Sequence, residues 1–322
     1  MTYDISLQPG HIARHTPRGA GSQGREAAVI DIAQDLLLRH LADEGLLDSF
    51  AIKGGTALRK LYAGNEGRFS LDLDFAVADT ATDRDEAALE FSLAVDGLEI
   101  GPFRYGITER RGKPSVTLSG RFVTESTLQT KLDFSAAPWL APVSGSWVPM
   151  PVQAQYGGPL PRIKTVRIEE NLAEKIARLN RVTTARDMYD LAWIAGDGPL
   201  WRNIDQPLVR RLSVLKMWVD ANGLHAGATC WAPAHAGLPF DPSRWLRKRD
   251  AKEFDIEDIG ALAVPTPKPE ELSERVRTSF AFLQELDDEE RVIANASGKD
   301  RALAIRLLEN LPGGRLSGAG LY

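Results

Sequence analysis

The chain has 322 residues, 43% of them hydrophobic and 26% charged, with a net charge of -5. That composition is globular and fills one large or two ordinary domains around a sizeable core, and it excludes a chain that holds nucleic acid by its overall field, so any such contact must come from a local basic patch. A single cysteine, Cys230, excludes an internal disulfide framework and a cysteine zinc cluster and fits a reducing compartment.

Residues 1–23 are rich in Gly, Pro, Ser and Arg and read as an arm or loop with no apolar signal-type stretch. Residues 25–47 carry apolar side chains at helical spacing and predict a helix. A short apolar segment, FAI, precedes Gly54 and Gly55, and TALRKLYAG then predicts a helix that stops at Gly64. RFSLDLDFAVA alternates strictly and predicts a strand, and residues 86–98 a further helix. Residues 103–122 predict two strands around the turn RRGKP, and 127–135 a third. The Pro-, Trp- and Gly-rich residues 136–161 read as a partly extended connector between two halves. From about residue 168 the chain is helical, interrupted by a Pro- and Trp-rich stretch at 226–247. No segment approaches the roughly 20 apolar residues that span a bilayer, so a cytoplasmic protein with no membrane contact is expected. The expected fold is α/β (α+β), with a mixed sheet and flanking helices over residues 1–160 and an α-helical domain over 161–322.

Side chains alternate across a strand, so Phe69, Leu71, Leu73 and Phe75 fall on one face and Ser70, Asp72 and Asp74 on the other. Two carboxylates at i and i+2, about 7 Å apart along a strand, repel one another unless a cation lies between them. Magnesium suits such a pair because it takes one or two carboxylates together with phosphate oxygens and water. Gly54 and Gly55 let the backbone approach a ligand, and their N–H groups at a helix start make an anion seat. Together the two elements describe a nucleoside triphosphate site. In KLDF, Lys131 and Asp133 alternate with Leu132 and Phe134, so pairing of this strand with the first would add Asp133 as a third carboxylate and Lys131 beside it. Three carboxylates suffice for two metal ions.

GGTALRK, RFSLDLDF, KLDF and the later NLAEKIARLNRVTTARDMYDL, in that order, resemble the AbiEii/AbiGii nucleotidyltransferase toxins, including their MenT branch, within the DNA polymerase beta nucleotidyltransferase superfamily. The resemblance runs over roughly residues 25–200. It implies Gly54, Gly55 and Thr56 as phosphate loop, Asp72, Asp74 and Asp133 as metal ligands, with Asp133 alternatively the general base, Lys175 as the phosphate-binding lysine and Asp187 as the third motif's acid. Arg68, Ser70, Lys131 and Arg178 are expected to assist nucleotide binding. The gap from Thr56 to Asp72 is longer than in many relatives of the superfamily. The resemblance also implies Mg2+ or Mn2+, an NTP co-substrate, an AbiEi-like winged-helix antitoxin and, for the MenT branch, transfer of nucleotides to tRNA 3′ ends.

Ordinary structural readings stand beside these. Asp72 and Asp74 also fit a solvated strand face, Asp133 an ion pair with Lys131 or Arg68, and Gly54–Gly55 a simple turn. Thr184-x-x-Asp187 is a helix-start signature, so Asp187 also fits a cap. Asp190 reads as a polar packing residue. Seven basic residues between Arg162 and Arg186, and Arg104, Arg110, Arg111 and Lys113 at the hairpin, either track RNA phosphates or form solvated faces. The five histidines show no ligand spacing, and Trp193 and Trp218 read as core. NMP transfer to a protein hydroxyl uses the same groups, and a non-catalytic nucleotide- or antitoxin-binding module keeps the same fold.

Overall fold

A computed structural model describes residues 3–18, 20–124, 127–181, 184–196, 198–224, 259–262, 265, 267–295 and 300–315. Cys230, His225, His235 and the stretch 226–247 lie outside the described residues. The chain divides into two compact units. One comprises Met1–Pro138, Pro142–Val166 and Gly260–Pro265, and the other Trp139–Ala141, Arg167–Ile259 and Thr266–Tyr322.

The first unit is built on strands β1 (Phe50–Lys53), β2 (Asp72–Val77), β3 (Glu99–Ile100), β4 (Phe103–Arg110), β5 (Lys113–Gly120), β6 (Leu128–Ser135), β7 (Val143–Gly145) and β8 (Ile163–Thr165). They form one sheet in the order β3-β4-β5-β6-β2-β1-β8-β7. β2 runs parallel to β6 and antiparallel to β1, so the sheet is mixed. One face is apolar: Leu73, Phe75, Val77, Tyr105, Val116, Leu118 and Leu132 are buried. Helices α1 (Pro9–His15), α2 (Gly21–Asp43), α3 (Gly54–Leu58) and α4 (Arg84–Val95) belong to the same unit. Phe50, Phe75 and Phe134 of the sheet and Phe91 of α4 form a ring cluster with centroids 5.2–5.9 Å apart, which adds aromatic geometry to simple burial.

α2 is buried on nearly every side and carries Asp31, Gln34, Asp35 and Arg39 inward. Asp31 meets Arg59 Nη2 at 3.0 Å, Lys60 Nζ at 2.5 Å and His15 Nε2 at 2.7 Å. Asp35 meets Lys60 Nζ at 2.6 Å and accepts from the Tyr156 hydroxyl at 2.9 Å. Burial pushes the Asp31 carboxyl up, but Arg59, Lys60 and His15 outweigh it and hold it well below the usual range, whereas burial dominates at Asp35 and raises it.

Several expectations need correction. The N-terminal arm holds a helix, α1, whose Ile12 is buried, and α2 begins at Gly21 rather than Arg25. The expected strand from Arg68 starts only at Asp72, and Leu71 is 47% exposed rather than core. The reason is Arg59, which donates to the carbonyls of Gly64 and Gly67 and stacks over the Phe69 ring at 3.8 Å. Phe69 therefore packs with Ala27 and Ala28, off the sheet. The expected connector is largely part of the sheet unit. It supplies β7 and a short turn at Pro151–Gln155, and Arg39 donates to the Tyr156 carbonyl at 2.6 Å.

In the second unit, α5 (Ile168–Arg181) packs on α8 (Gln206–Val219), and α6 (Ala185–Ile194) on the helix Pro269–Ser279. The short α7 (Pro199–Arg202) and the helices Asp288–Asn295 and Arg301–Glu309 complete its described α-helices. Glu170, fully buried, accepts from the backbone N–H groups of Trp139 and Leu140 and from Lys216, each at 2.9 Å. Trp218 is buried and Trp193 half-buried. No described helix is long and apolar enough to cross a membrane.

Asp31→Ala is expected to leave Arg59 buried without its carboxylate, at a cost of about 3–5 kcal/mol. Urea denaturation followed by circular dichroism checks this, and an unchanged midpoint contradicts it.

Candidate active site

β1 ends at Lys53 in extended backbone, and Gly54 turns the chain into α3 with φ +70°. A side chain there is excluded twice. The left-handed conformation disfavours one, and a Cβ on Gly54 would overlap Asp74 Oδ2. A Cβ on Gly55 would overlap the Arg68 guanidinium and come to 3.0 Å from Ser70 Oγ. The two glycines therefore bring bare backbone against Asp74 on one side and against Arg68 and Ser70 on the other.

Strand register assembles the acids. Asp74 pairs with Asp133 of β6 and with Lys53 of β1, and Asp72 pairs with Lys131. Directly paired residues share a face, so Lys53, Asp74 and Asp133 form one row on the polar face, with Asp72 and Lys131 in the next. Asp72 and Asp74 are half-buried, while Lys131 and Asp133 are exposed. Thr56, fully buried, donates its hydroxyl to the Asp72 carbonyl. It therefore ties α3 to the first acid residue of β2. Gln34 of α2 donates to Thr130 Oγ1 at 3.0 Å, and Thr130 donates to the Leu71 carbonyl at 2.5 Å. This chain locks β6 to the entry of β2.

No group of three or more His, Cys, Asp or Glu among the described residues forms a ready-made metal cage. The donor set instead suits a hard cation that arrives with phosphate oxygens and water and needs one or two carboxylates. Asp72 and Asp74 offer these, with Asp133 registered beside Asp74 and the Gly54 seat adjoining.

In the helical unit, Lys175 of α5 is buried between two carboxylates of α6, at 3.1 Å from Asp187 Oδ1 and 2.7 Å from Asp190 Oδ2. Arg178 Nε lies 3.4 Å from Asp187 Oδ2, which also accepts from Thr184 Oγ1 at 2.7 Å. Thr184 in turn caps α6 by accepting from the Asp187 N–H. Burial raises the Asp187 carboxyl, but the charges of Lys175 and Arg178 and the bonds from Thr184 and Lys175 bring it down to about 2.

The profile of the AbiEii nucleotidyltransferase toxins of type IV toxin–antitoxin systems matches residues 35–290. The chain belongs to this family. Among solved structures, it is similar to MenT4, a nucleotidyltransferase toxin from Mycobacterium tuberculosis H37Rv, at 33% identity and a TM-score of 0.78, covering 95% of this chain and 99% of that one. No curated protein sequence matches. As an AbiEii toxin the protein is a nucleotidyltransferase with an NTP substrate, and its family implies an antitoxin partner.

Within this AbiEii enzyme the structure brings Gly54, Gly55, Arg68, Ser70, Asp72, Asp74, Lys131 and Asp133 to one region of the sheet unit. Lys175, Arg178 and Asp187 assemble separately in the helical unit. Two further residues join these groups. Lys53 enters the acid row, and the signal was its pairing parity with Asp74. Asp190, read as packing, is a direct Lys175 partner, and its i+3 spacing from Asp187 on one helix face was the signal.

Gly54→Ala is expected to displace the Asp74 carboxylate and lower nucleotidyl transfer about 100-fold, with a strain cost of only about 1–2 kcal/mol. Transfer kinetics beside a thermal melt separate the two. The folded Asp187 lies below its ordinary 3.8, so its pairing stabilises fully above that value and is lost as pH falls toward about 2. The stability difference between wild type and Asp187→Asn is expected to shrink by about 2 kcal/mol between about pH 5 and pH 2, read from urea unfolding at each pH.

Proposed function

We propose that this AbiEii toxin transfers a nucleoside monophosphate from an NTP to the 3′ hydroxyl of an RNA, tRNA in the first instance, and thereby blocks translation. The observation that carries the reading is the Gly54 backbone set against Asp74, with Asp133 in the same row. Backbone bare enough to approach a phosphate chain there adjoins the carboxylates, with no side chain between.

In this reading the N–H groups of Gly54 and Gly55 approach the phosphates, with Arg68 and Ser70 behind Gly55. Asp72, Asp74 and Asp133 hold Mg2+ or Mn2+, which when bound offsets the charge of the phosphates and of the departing pyrophosphate. The acceptor oxygen forms its bond to the α-phosphorus, the α–β phosphoanhydride bond breaks, and pyrophosphate leaves. Asp133, exposed beside Asp74, takes the hydroxyl proton. Lys175 has the phosphate-binding role the family resemblance implies, with Arg178 assisting and Asp187, ion-paired to both, as the third motif's acid. The enzyme works in the cytoplasm, where NTP and tRNA are found, held in check by an AbiEi-like antitoxin.

The test is a transfer assay with Mg2+, total tRNA and each labelled NTP in turn, beside Asp72→Ala. Label on RNA from one preferred NTP, lowered at least about 100-fold in the variant, is the expected result. Label that protease removes and ribonuclease spares would reassign the acceptor to a protein hydroxyl. An Asp72→Ala protein that transfers at the wild-type rate would falsify the carboxylate mechanism.

A further inference from the structure

The acid row continues past Asp133. Ser115 of β5 pairs with Lys131 of β6, so Lys113, two residues along the antiparallel strand, falls on the Asp133 side, and Lys113 pairs with Arg110 of β4. Strand parity keeps these side chains on the polar face. The line across five strands therefore reads Lys53, Asp74, Asp133, Lys113, Arg110, with the Gly54 seat at one end and a pair of cations at the other.

Between the carboxylates and the hairpin the face is uncharged or basic, bounded by Asp72 beside Lys131 and by Asp96, which accepts from the Ile107 N–H beside Gly106. Thr108, Ser115, Thr117, Gln129 and Lys131 share it by pairing and alternation, and none is acidic. Arg110, Lys113 and Lys131 are exposed, and none forms an ion pair with a carboxylate among the described residues. Arg104, further along β4, is set apart by Glu99 at 3.8 Å.

The tip adds an independent observation. β4 and β5 are joined by Arg111 and Gly112, both with positive φ, +55° and +73°. Such turns favour Asn or Asp before Gly. Arg111 is the only non-glycine residue with positive φ among the described residues, in a conformation that costs about 1–2 kcal/mol. A third cation is thus kept where the backbone disfavours it, and strain of this kind gathers at working sites.

The basic segment from Arg162 to Arg186 offers less. Arg162 is bonded to Ser144 and Ser146, Lys164 to the Asp48 carbonyl, Arg167 to Glu169, and Arg178 to Asp187.

We propose that the β4–β5 hairpin, through Arg110, Arg111 and Lys113, is the seat for the backbone phosphates of the acceptor RNA strand. This rests on the transfer reading above. It places the donor triphosphate on the β1 side of the carboxylates and the acceptor strand on the β5 side, so that the 3′ hydroxyl reaches Asp133 from the hairpin.

The test uses the full chain and Arg110→Ala/Arg111→Gly/Lys113→Ala, with fluorescently labelled tRNA bound across a salt series and transfer kinetics measured separately. Gly at 111 suits the positive φ, and circular dichroism checks the fold. The variant is expected to bind tRNA at least about tenfold more weakly, with the slope of log K against log salt smaller by about 2, near 0.7 for each single-strand phosphate that the removed cations neutralise. Its KM for tRNA rises while its KM for NTP is unchanged. Equal affinity and slope in variant and wild type overturn the hairpin and leave the transfer reading standing, as does an effect confined to antitoxin binding. Wild-type protein that binds tRNA through the hairpin yet transfers nothing to it overturns the transfer reading and leaves the hairpin a tRNA seat without an acceptor role. Wild-type protein with no affinity for tRNA overturns the hairpin.

Discussion

The sheet unit depends on charges placed where water is absent. Asp31 of α2 is fully buried, and Arg59, Lys60 and His15 converge on it within about one hydrogen-bond length. Isolated, each of these ions costs several kcal/mol to desolvate. Together they fix where the chain after α3 must run. Arg59 directs its remaining donors to the carbonyls of Gly64 and Gly67 and lays its plane on Phe69, and three residues later β2 begins with Asp72. The position of the first carboxylate is thus set from behind, by the buried charges gathered around Asp31.

The second constraint is closeness. Asp74 leaves no room for a side chain on Gly54, nor Arg68 and Ser70 for one on Gly55. At Gly54 the left-handed backbone itself disfavours a side chain, whereas at Gly55 one would push the Arg68 guanidinium aside, and Thr56 anchors the far side by bonding to the Asp72 carbonyl. A turn that served only to reverse the chain would need one left-handed residue. Gly54 has φ +70°, while Gly55 is spared a side chain for contact alone.

What the sequence showed, and what it hid, follows from the range of the forces involved. Alternation in DLDF and KLDF is local, and it placed Asp72, Asp74, Lys131 and Asp133 on the polar face, with Leu73, Phe75 and Leu132 in the core. The same alternation failed at Leu71, because strand pairing begins only at Asp72 and parity has no meaning before it. In α2 the periodicity of residues 25–47 says nothing of where Asp31 and Asp35 go. They are buried because their partners, His15, Arg59, Lys60 and Tyr156, lie far along the chain, and no local period encodes that. The segment 136–161 hides its anchoring for a related reason: its Pro and Trp content marks irregular backbone, yet Tyr156 is held by Asp35 and Arg39.

Register is the final link between core and chemistry. A slip of one residue between β6 and β2 would turn Asp133 toward the apolar face and bring Phe134 out. Burial of Leu132 opposes the slip, and so does a specific lock, since Gln34 holds Thr130 and Thr130 holds the Leu71 carbonyl. Each such bond contributes only about 1 kcal/mol net, but leaving any of these buried groups unpaired costs more, so the lock penalises the shifted pairing more than it stabilises the native one. Because β5 is paired to β6 at Lys131 and β4 to β5 along its full length, the same lock carries outward to the hairpin. Three polar groups in the core therefore decide whether the cations at Arg110 and Lys113 stand in line with the carboxylates or face away from them.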